Sequence, residues 1–237
     1  MKPEEYKRVT EVTYLGVVYG SLAALKRMLP RDHGVIVQVG SALAYRGIPL
    51  QSAYCAAKHA IQGFCDSLRC ELLHDGTKVR VVMVQMPAMN TPQFDWVKSR
   101  LPRKAQPVPP IFQPDVAAGA VLYAAHNNRR EVYVGGPTVE AIVGNKIAPA
   151  FADWYLSKTC FDAQQTDQPE NPDRPNNLFQ PVDDETDHGA HGSFGARSRD
   201  FSLQVWVNEH RNWLAAGALA LCAGAAGAFV RREIEES

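Results

Sequence analysis

Ser41-Ala-Leu-Ala-Tyr-Arg-Gly-Ile-Pro-Leu-Gln-Ser-Ala-Tyr54-Cys-Ala-Ala-Lys58 follows directly on Gly34-Val-Ile-Val-Gln-Val-Gly40, and these two segments decide the fold. The β-branched run bounded by glycines has the pattern of a buried strand. After a loop holding Gly47 and Pro49, the residues from Ser52 to about Leu73 read as a helix with Ser52 as its N-cap. Tyr54 and Lys58 are four residues apart, so they lie on one helix face, one turn from each other.

Working outward, Lys78-Val-Arg-Val-Val-Met-Val-Gln85 is nearly continuous in apolar residues, as a strand covered on both faces requires. A proline-rich excursion leads to a helix from about Asp115 to His126 and a third strand at Glu131-Val-Tyr-Val-Gly135. Upstream, Val12, Leu15, Tyr19, Leu22 and Leu29 recur at helical spacing until Pro30 and Gly34 end an amphipathic helix over 4–29. Strand and helix alternate. The fold class is α/β, a partial doubly wound, Rossmann-type parallel sheet in which three strands can be located.

The composition, 46% hydrophobic and 21% charged, suits a chain that buries a core. With 25 basic and 25 acidic groups the net charge is zero, so no long-range field advertises nucleic acid as a partner. The zero hides a division: residues 1–161 carry 19 basic and 12 acidic groups, residues 162–200 carry 3 and 9, and the rest 3 and 4. The stretch after Asp162 offers only Leu178, Phe179, Val182 and Phe194 as large apolar side chains, too few to offset chain entropy. We therefore divide the chain into a catalytic part (1–160), a flexible, disordered acidic linker (161–205) and a C-terminal apolar helix (206–237).

Within that last part, 213–230 is uncharged, flanked by Arg211, Arg231 and Arg232, with Ala216, Ala220, Gly224 and Ala228 spaced for helix pairing. It is a candidate membrane anchor. Because 11 of its 18 residues are Ala or Gly, a soluble docking helix is the other reading. Five cysteines with no Cys-x-x-Cys pair indicate neither a disulfide framework nor a thiolate metal site, and a reducing, cytoplasmic setting fits them. Cys55 reads as a small buried hydrophobe, His188 and His191 as solvated loop, and no metal site is expected.

The Tyr54–Lys58 pair carries chemistry. A phenol is a poor acid or base at neutral pH, and a neighbouring ammonium favours the phenolate and draws its pKa down. Ser41, at the carboxyl end of the preceding strand, stands where open α/β sheets place ligand groups, and its hydroxyl can hold a carbonyl oxygen beside the tyrosine.

With these residues in place the sequence resembles the short-chain dehydrogenase/reductase family over roughly residues 4–145. The likeness rests on the Y-x-x-x-K pair at Tyr54 and Lys58 and on a serine thirteen residues before the tyrosine. It rests also on Pro87-Ala-Met-Asn-Thr91-Pro, which is similar to the family's P-G-x-x-x-T segment just past the next strand. The resemblance implies an NAD- or NADP-dependent oxidoreductase acting on a small-molecule alcohol or carbonyl. Tyr54 would be the general acid/base, Lys58 would tune it and bond the nicotinamide ribose, and Ser41 would orient the substrate oxygen. Pro87, Ala88 and Thr91 would meet the nicotinamide, while Leu43, Tyr45, Met89, Phe94 and Trp96 would form an apolar substrate wall.

Three departures accompany the likeness. Thr13 stands where the family has an asparagine that helps a proton relay, and Ala88 where glycine is usual. No G-x-x-x-G-x-G segment is present, which implies that about three βα units, on the order of 90 residues, are missing upstream and that Met1 is an internal start or a truncation. The resemblance also implies a homo-oligomer built through the helices at 4–29 and 52–73. The alternative function is a non-catalytic, membrane-attached remnant that acts as an interaction module.

Overall fold

The computed structural model describes residues 1–182 and 186–235, the side chains of 224–235 excepted. It opens with a helical run, α1 (Pro3–Val9), a π-helical turn (Thr10–Leu15) and α2 (Gly16–Met28), which together occupy the amphipathic stretch read from sequence. β1 (Gly34–Val39), α3 (Ser52–His74) and β2 (Val79–Gln85) follow as a parallel strand–helix–strand unit. The excursion after β2 contains three short strands, β3 (Ala88–Met89), β4 (Arg103–Ala105) and β5 (Ile111–Phe112), before α4 (Pro114–His126) and β6 (Glu131–Tyr133).

β6 pairs in parallel with β2, so the principal sheet has the order β1-β2-β6, the three strands expected. Leu25 of α2 and Ile61, Cys65, Leu68 and Leu72 of α3 pack on Ile36, Val79, Val81 and Met83, one alternate set along β1 and β2. Val82 and Val84 belong to the opposite set, and α4 packs on β1 and β2 with Ala120 and Ala124 fully buried. The near-continuous apolar run of β2 is explained by this two-sided cover. β1 and β6 are the outer strands of this sheet, and Val39 at the end of β1 is half exposed.

Three features differ from the sequence reading. First, the N-cap of α3 is Gln51, and Ser52 is the first helical residue, its Oγ 2.5 Å from the Tyr6 hydroxyl. Second, α5 (Gly136–Ile147) and α6 (Pro149–Ala163) follow β6 where no element was expected. Their weak amphipathic pattern hides them, since Phe151, Trp154 and Tyr155 stay exposed.

Third, the stretch read as an acidic linker carries two short strands. β7 (Gln165–Pro169) pairs antiparallel with β4, and β8 (Ser198–Arg199) pairs with β5. Residues 1–202 make one compact unit and 203–237 a second. The segment is held by main-chain pairing and polar side chains rather than by apolar burial, which is why a hydrophobicity argument misses it. Residues 183–185 lie outside the description.

The second unit is a single helix, α7 (Leu203–Glu235). Among the described residues no helix is long and apolar enough to cross a membrane. The expected span at 213–230 runs past residue 223 and so lies partly outside the described side chains.

Candidate active site

The carboxyl ends of β1 and β2 and the first turns of α3 converge on Ser41, Tyr54 and Lys58. Ser41 is buried, and its Oγ accepts the Leu43 backbone N–H at 3.1 Å, capping a short 3-10 turn over Ala42–Ala44. The Ser41 side chain is the group that draws the Tyr54 phenol down against the effect of its burial.

Lys58 lies one turn further along α3, with Nζ 5.5 Å from the Tyr54 ring centroid and 2.9 Å from the Val39 carbonyl, to which it donates. Here the expected electrostatics need correction. Burial pushes the Tyr54 phenol up to about 12, and the opposing influence comes from the Ser41 side chain. Burial lowers the pKa of Lys58 itself.

Thr13 falls in the π turn between α1 and α2, half-buried, and that turn packs on α3, which carries Tyr54 and Lys58. Pro87 links β2 to β3, and Ala88 and Met89 form β3 itself, paired with Ile111 and Phe112. Thr91 is the N-cap of the 3-10 turn Pro92–Asp95, but its side chain makes no capping bond. The Thr91 hydroxyl and the Lys58 ammonium, which donates to the Val39 carbonyl, are groups of the kind that bond the amide and ribose hydroxyls of a nicotinamide nucleotide.

The expected substrate wall is divided. Leu43 lies in the 3-10 turn after Ser41, but Tyr45 is engaged in the protein, donating to Glu131 Oε1 at 2.6 Å. Phe94 packs edge-on against Phe194, and Trp96 against the His188 ring. Trp96 also lines a cavity of about 360 Å³ with Arg8, Asn177, Gln180, Pro181 and Val182, a lining that includes neither Ser41 nor Tyr54.

Sequence reasoning missed the groups that fasten this loop. Arg174 donates to the carbonyls of Phe94 and Val97, and the Asn177 N–H to that of Trp96 at 3.1 Å. Glu5, 2% exposed, pairs with Lys98 and Arg100 at 2.8 and 2.7 Å, joining the loop to α1. On the Ser41 side, Asn145 of α5 donates to the Tyr45 carbonyl at 2.9 Å, and Gln164 donates to the Pro49 carbonyl at 3.0 Å. Cys55 is buried as expected. Among the described residues no cluster suits a metal ion, and His191 instead meets Asp115 at 2.7 Å.

Residues 1–100 match the family model for short chain dehydrogenase. The uncharacterized oxidoreductase YxnA of Bacillus subtilis is 30% identical over 178 residues, which is 74% of this chain and 50% of the relative. An uncharacterized oxidoreductase of Mycobacterium tuberculosis is 33% identical over 150 residues, 63% of this chain and 41% of the relative. Among solved structures, a short chain dehydrogenase from Burkholderia cenocepacia in complex with NADP aligns with a TM-score of 0.51 and 26% identity, covering 65% of this chain and 60% of that one.

The chain belongs to the short-chain dehydrogenase/reductase family, by its first hundred residues and by its likeness beyond them. It spans about half the length of the first of these curated relatives.

Proposed function

We propose that Ser41, Tyr54 and Lys58 carry an alcohol/carbonyl interconversion that depends on NAD or NADP. The observation that carries this reading is the placement of Tyr54 and Lys58 one turn apart on α3, with Lys58 Nζ on the Val39 carbonyl at the carboxyl end of β1, where Ser41 follows. A bound nicotinamide supplies or accepts the hydride. A carbonyl oxygen placed between the Ser41 and Tyr54 hydroxyls receives a hydrogen bond from each as negative charge grows on it.

Tyr54 then gives its proton to that oxygen. A phenol titrating at about 12 is protonated at neutral pH, so in this state the residue can act as the acid of the carbonyl-reducing direction. An alkoxide is the stronger base, so the transfer runs downhill and leaves a phenolate beside the Lys58 ammonium. Lys58 and Thr91 hold the ribose and nicotinamide end in this reading, and Leu43 and Met89 contribute to the substrate wall. Thr13, a hydroxyl on the turn that packs against α3, is placed to take part in proton supply.

A second copy of the chain is the proposed partner, through the helical run at 4–29. The observation that favours it is the exposure of Val12, Tyr19 and Leu22, each more than half accessible. The test of the cofactor reading is titration of the purified chain with NADH and NADPH, followed by reduced-cofactor fluorescence. Saturable binding of either supports it, and no binding of both contradicts it and favours a role as an interaction module.

A further inference from the structure

Gln85 closes the apolar run of β2 and has no accessible surface. A buried amide in such a place must have partners for its oxygen and its two N–H groups. All are supplied. Its Oε1 accepts the Ser41 backbone N–H at 2.7 Å, and its Nε2 donates to Glu131 Oε1 at 2.6 Å and to Gln62 Oε1 at 3.1 Å.

Glu131 is itself held. Tyr45 donates to its Oε1 at 2.6 Å and Tyr133 to its Oε2 at 3.1 Å. A carboxylate only accepts, so it fixes which end of the Gln85 amide faces it and leaves the oxygen toward Ser41. A flipped amide would set N–H against N–H at Ser41. Gly40 leaves the room for this contact, since a Cβ there would overlap Gln85 Oε1.

On the far side of Ser41 the same logic continues. Its Oγ already accepts from Leu43 N–H at 3.1 Å, which leaves the hydroxyl hydrogen as its remaining donor, and the Ser41 side chain is the group that draws the Tyr54 phenol down against burial. We propose that Gln85 is a positioning residue for the Ser41–Tyr54 pair, transmitting the fixed orientation of the Glu131 carboxylate to the Ser41 main chain and so setting where the serine hydroxyl lies. The role in the reaction rests on the oxidoreductase reading above.

The test is the alkaline titration of Tyr54, followed by NMR of its labelled ring carbon in the full chain without cofactor. Ser41→Ala sets the reference, a rise in the Tyr54 midpoint of about one pH unit for a lost bond to the phenolate. Gln85→Met gives the same rise, and so does Gln85→Glu, which turns a second carboxylate on Glu131. Adding Glu131→Gln to Gln85→Glu restores the alternation of donor and acceptor and returns the midpoint to the wild-type value. This paired substitution decides the matter should Gln85→Met fail to fold.

The proposal is overturned if Ser41→Ala moves the midpoint while folded Gln85→Met leaves it in place, or if the paired substitution does not restore it. No cofactor enters the measurement. A chain without turnover therefore overturns the proposed reaction while these shifts still decide what Gln85 does.

Discussion

The Phe194 backbone N–H donates to the Asn90 side-chain oxygen at 2.9 Å, across 104 positions of sequence. Asn90 is fully buried and meets the same segment twice more in effect: its carbonyl accepts the Gly192 N–H at 3.0 Å, and its Nδ2 donates to Gln113, whose own N–H donates to Arg199 at 3.0 Å. The acidic segment is thus fastened beside Thr91, at the nicotinamide end of the proposed site.

Gly192 shows how close that approach is. A Cβ there would stand 2.5 Å from the Thr91 carbonyl oxygen, and backbone cannot swing aside as a flexible side chain can. Gly192→Ala is expected to destabilise the first unit by about 1–3 kcal/mol, the cost of overpacking. Chemical denaturation against wild type checks this, and an unchanged midpoint would show that the segment gives way freely.

Glu5 ties the loop carrying Lys98 and Arg100 to α1. Hydrogen bonds from Arg100 first, then Lys98 and the Lys2 backbone N–H, hold its carboxyl well below the usual carboxylate range. A depressed folded value contributes stability that is present above the unfolded value of about 4.3 and is lost as pH falls toward the folded one. Glu5→Gln should speed amide exchange over Lys98–Leu101 at pH 7, and the difference from wild type should shrink in strong acid. Equal exchange in the two proteins at pH 7 would count against the tie.

Tyr54 makes the opposite prediction at high pH. Its folded value, about 12, lies above the unfolded value, so the neutral phenol is favoured in the fold. That contribution is fully present below about pH 10 and is lost as pH rises through the folded value. Wild type should therefore lose stability relative to Tyr54→Phe between about pH 10 and 12. Parallel stability curves for the two proteins over this window would refute the assignment.

The exposed apolar side chains of the first helical run predict self-association. Light scattering of the purified chain should give a dimer or larger species, and Tyr19→Glu together with Leu22→Glu should shift it toward monomer. A monomeric wild type would remove the proposed partner.

Much of this architecture is legible in the sequence. The period-two and near-continuous apolar runs locate β1, β2 and β6, and the four-residue spacing places Tyr54 beside Lys58 because helical geometry leaves no other choice. What is not legible depends on partners distant in the chain. Burial, rather than the neighbouring ammonium, dominates Tyr54, and spacing alone says nothing of where Lys58 Nζ points. The polar strap around Asn90 leaves no periodic trace. Gln85 did leave one, a single amide ending an apolar strand, yet its meaning appears only once Ser41 and Glu131 stand on either side of it.

The central claim is that Tyr54 is the proton donor of a nicotinamide-dependent carbonyl reduction. The most direct test is oxidation of NADH or NADPH by the purified chain with a panel of small ketones and aldehydes, wild type against Tyr54→Phe. Wild type is expected to show carbonyl-dependent oxidation that falls by about 10²–10⁴-fold in the variant, the usual worth of a positioned acid. Rates undiminished in Tyr54→Phe, or no oxidation by wild type with either cofactor, would contradict it.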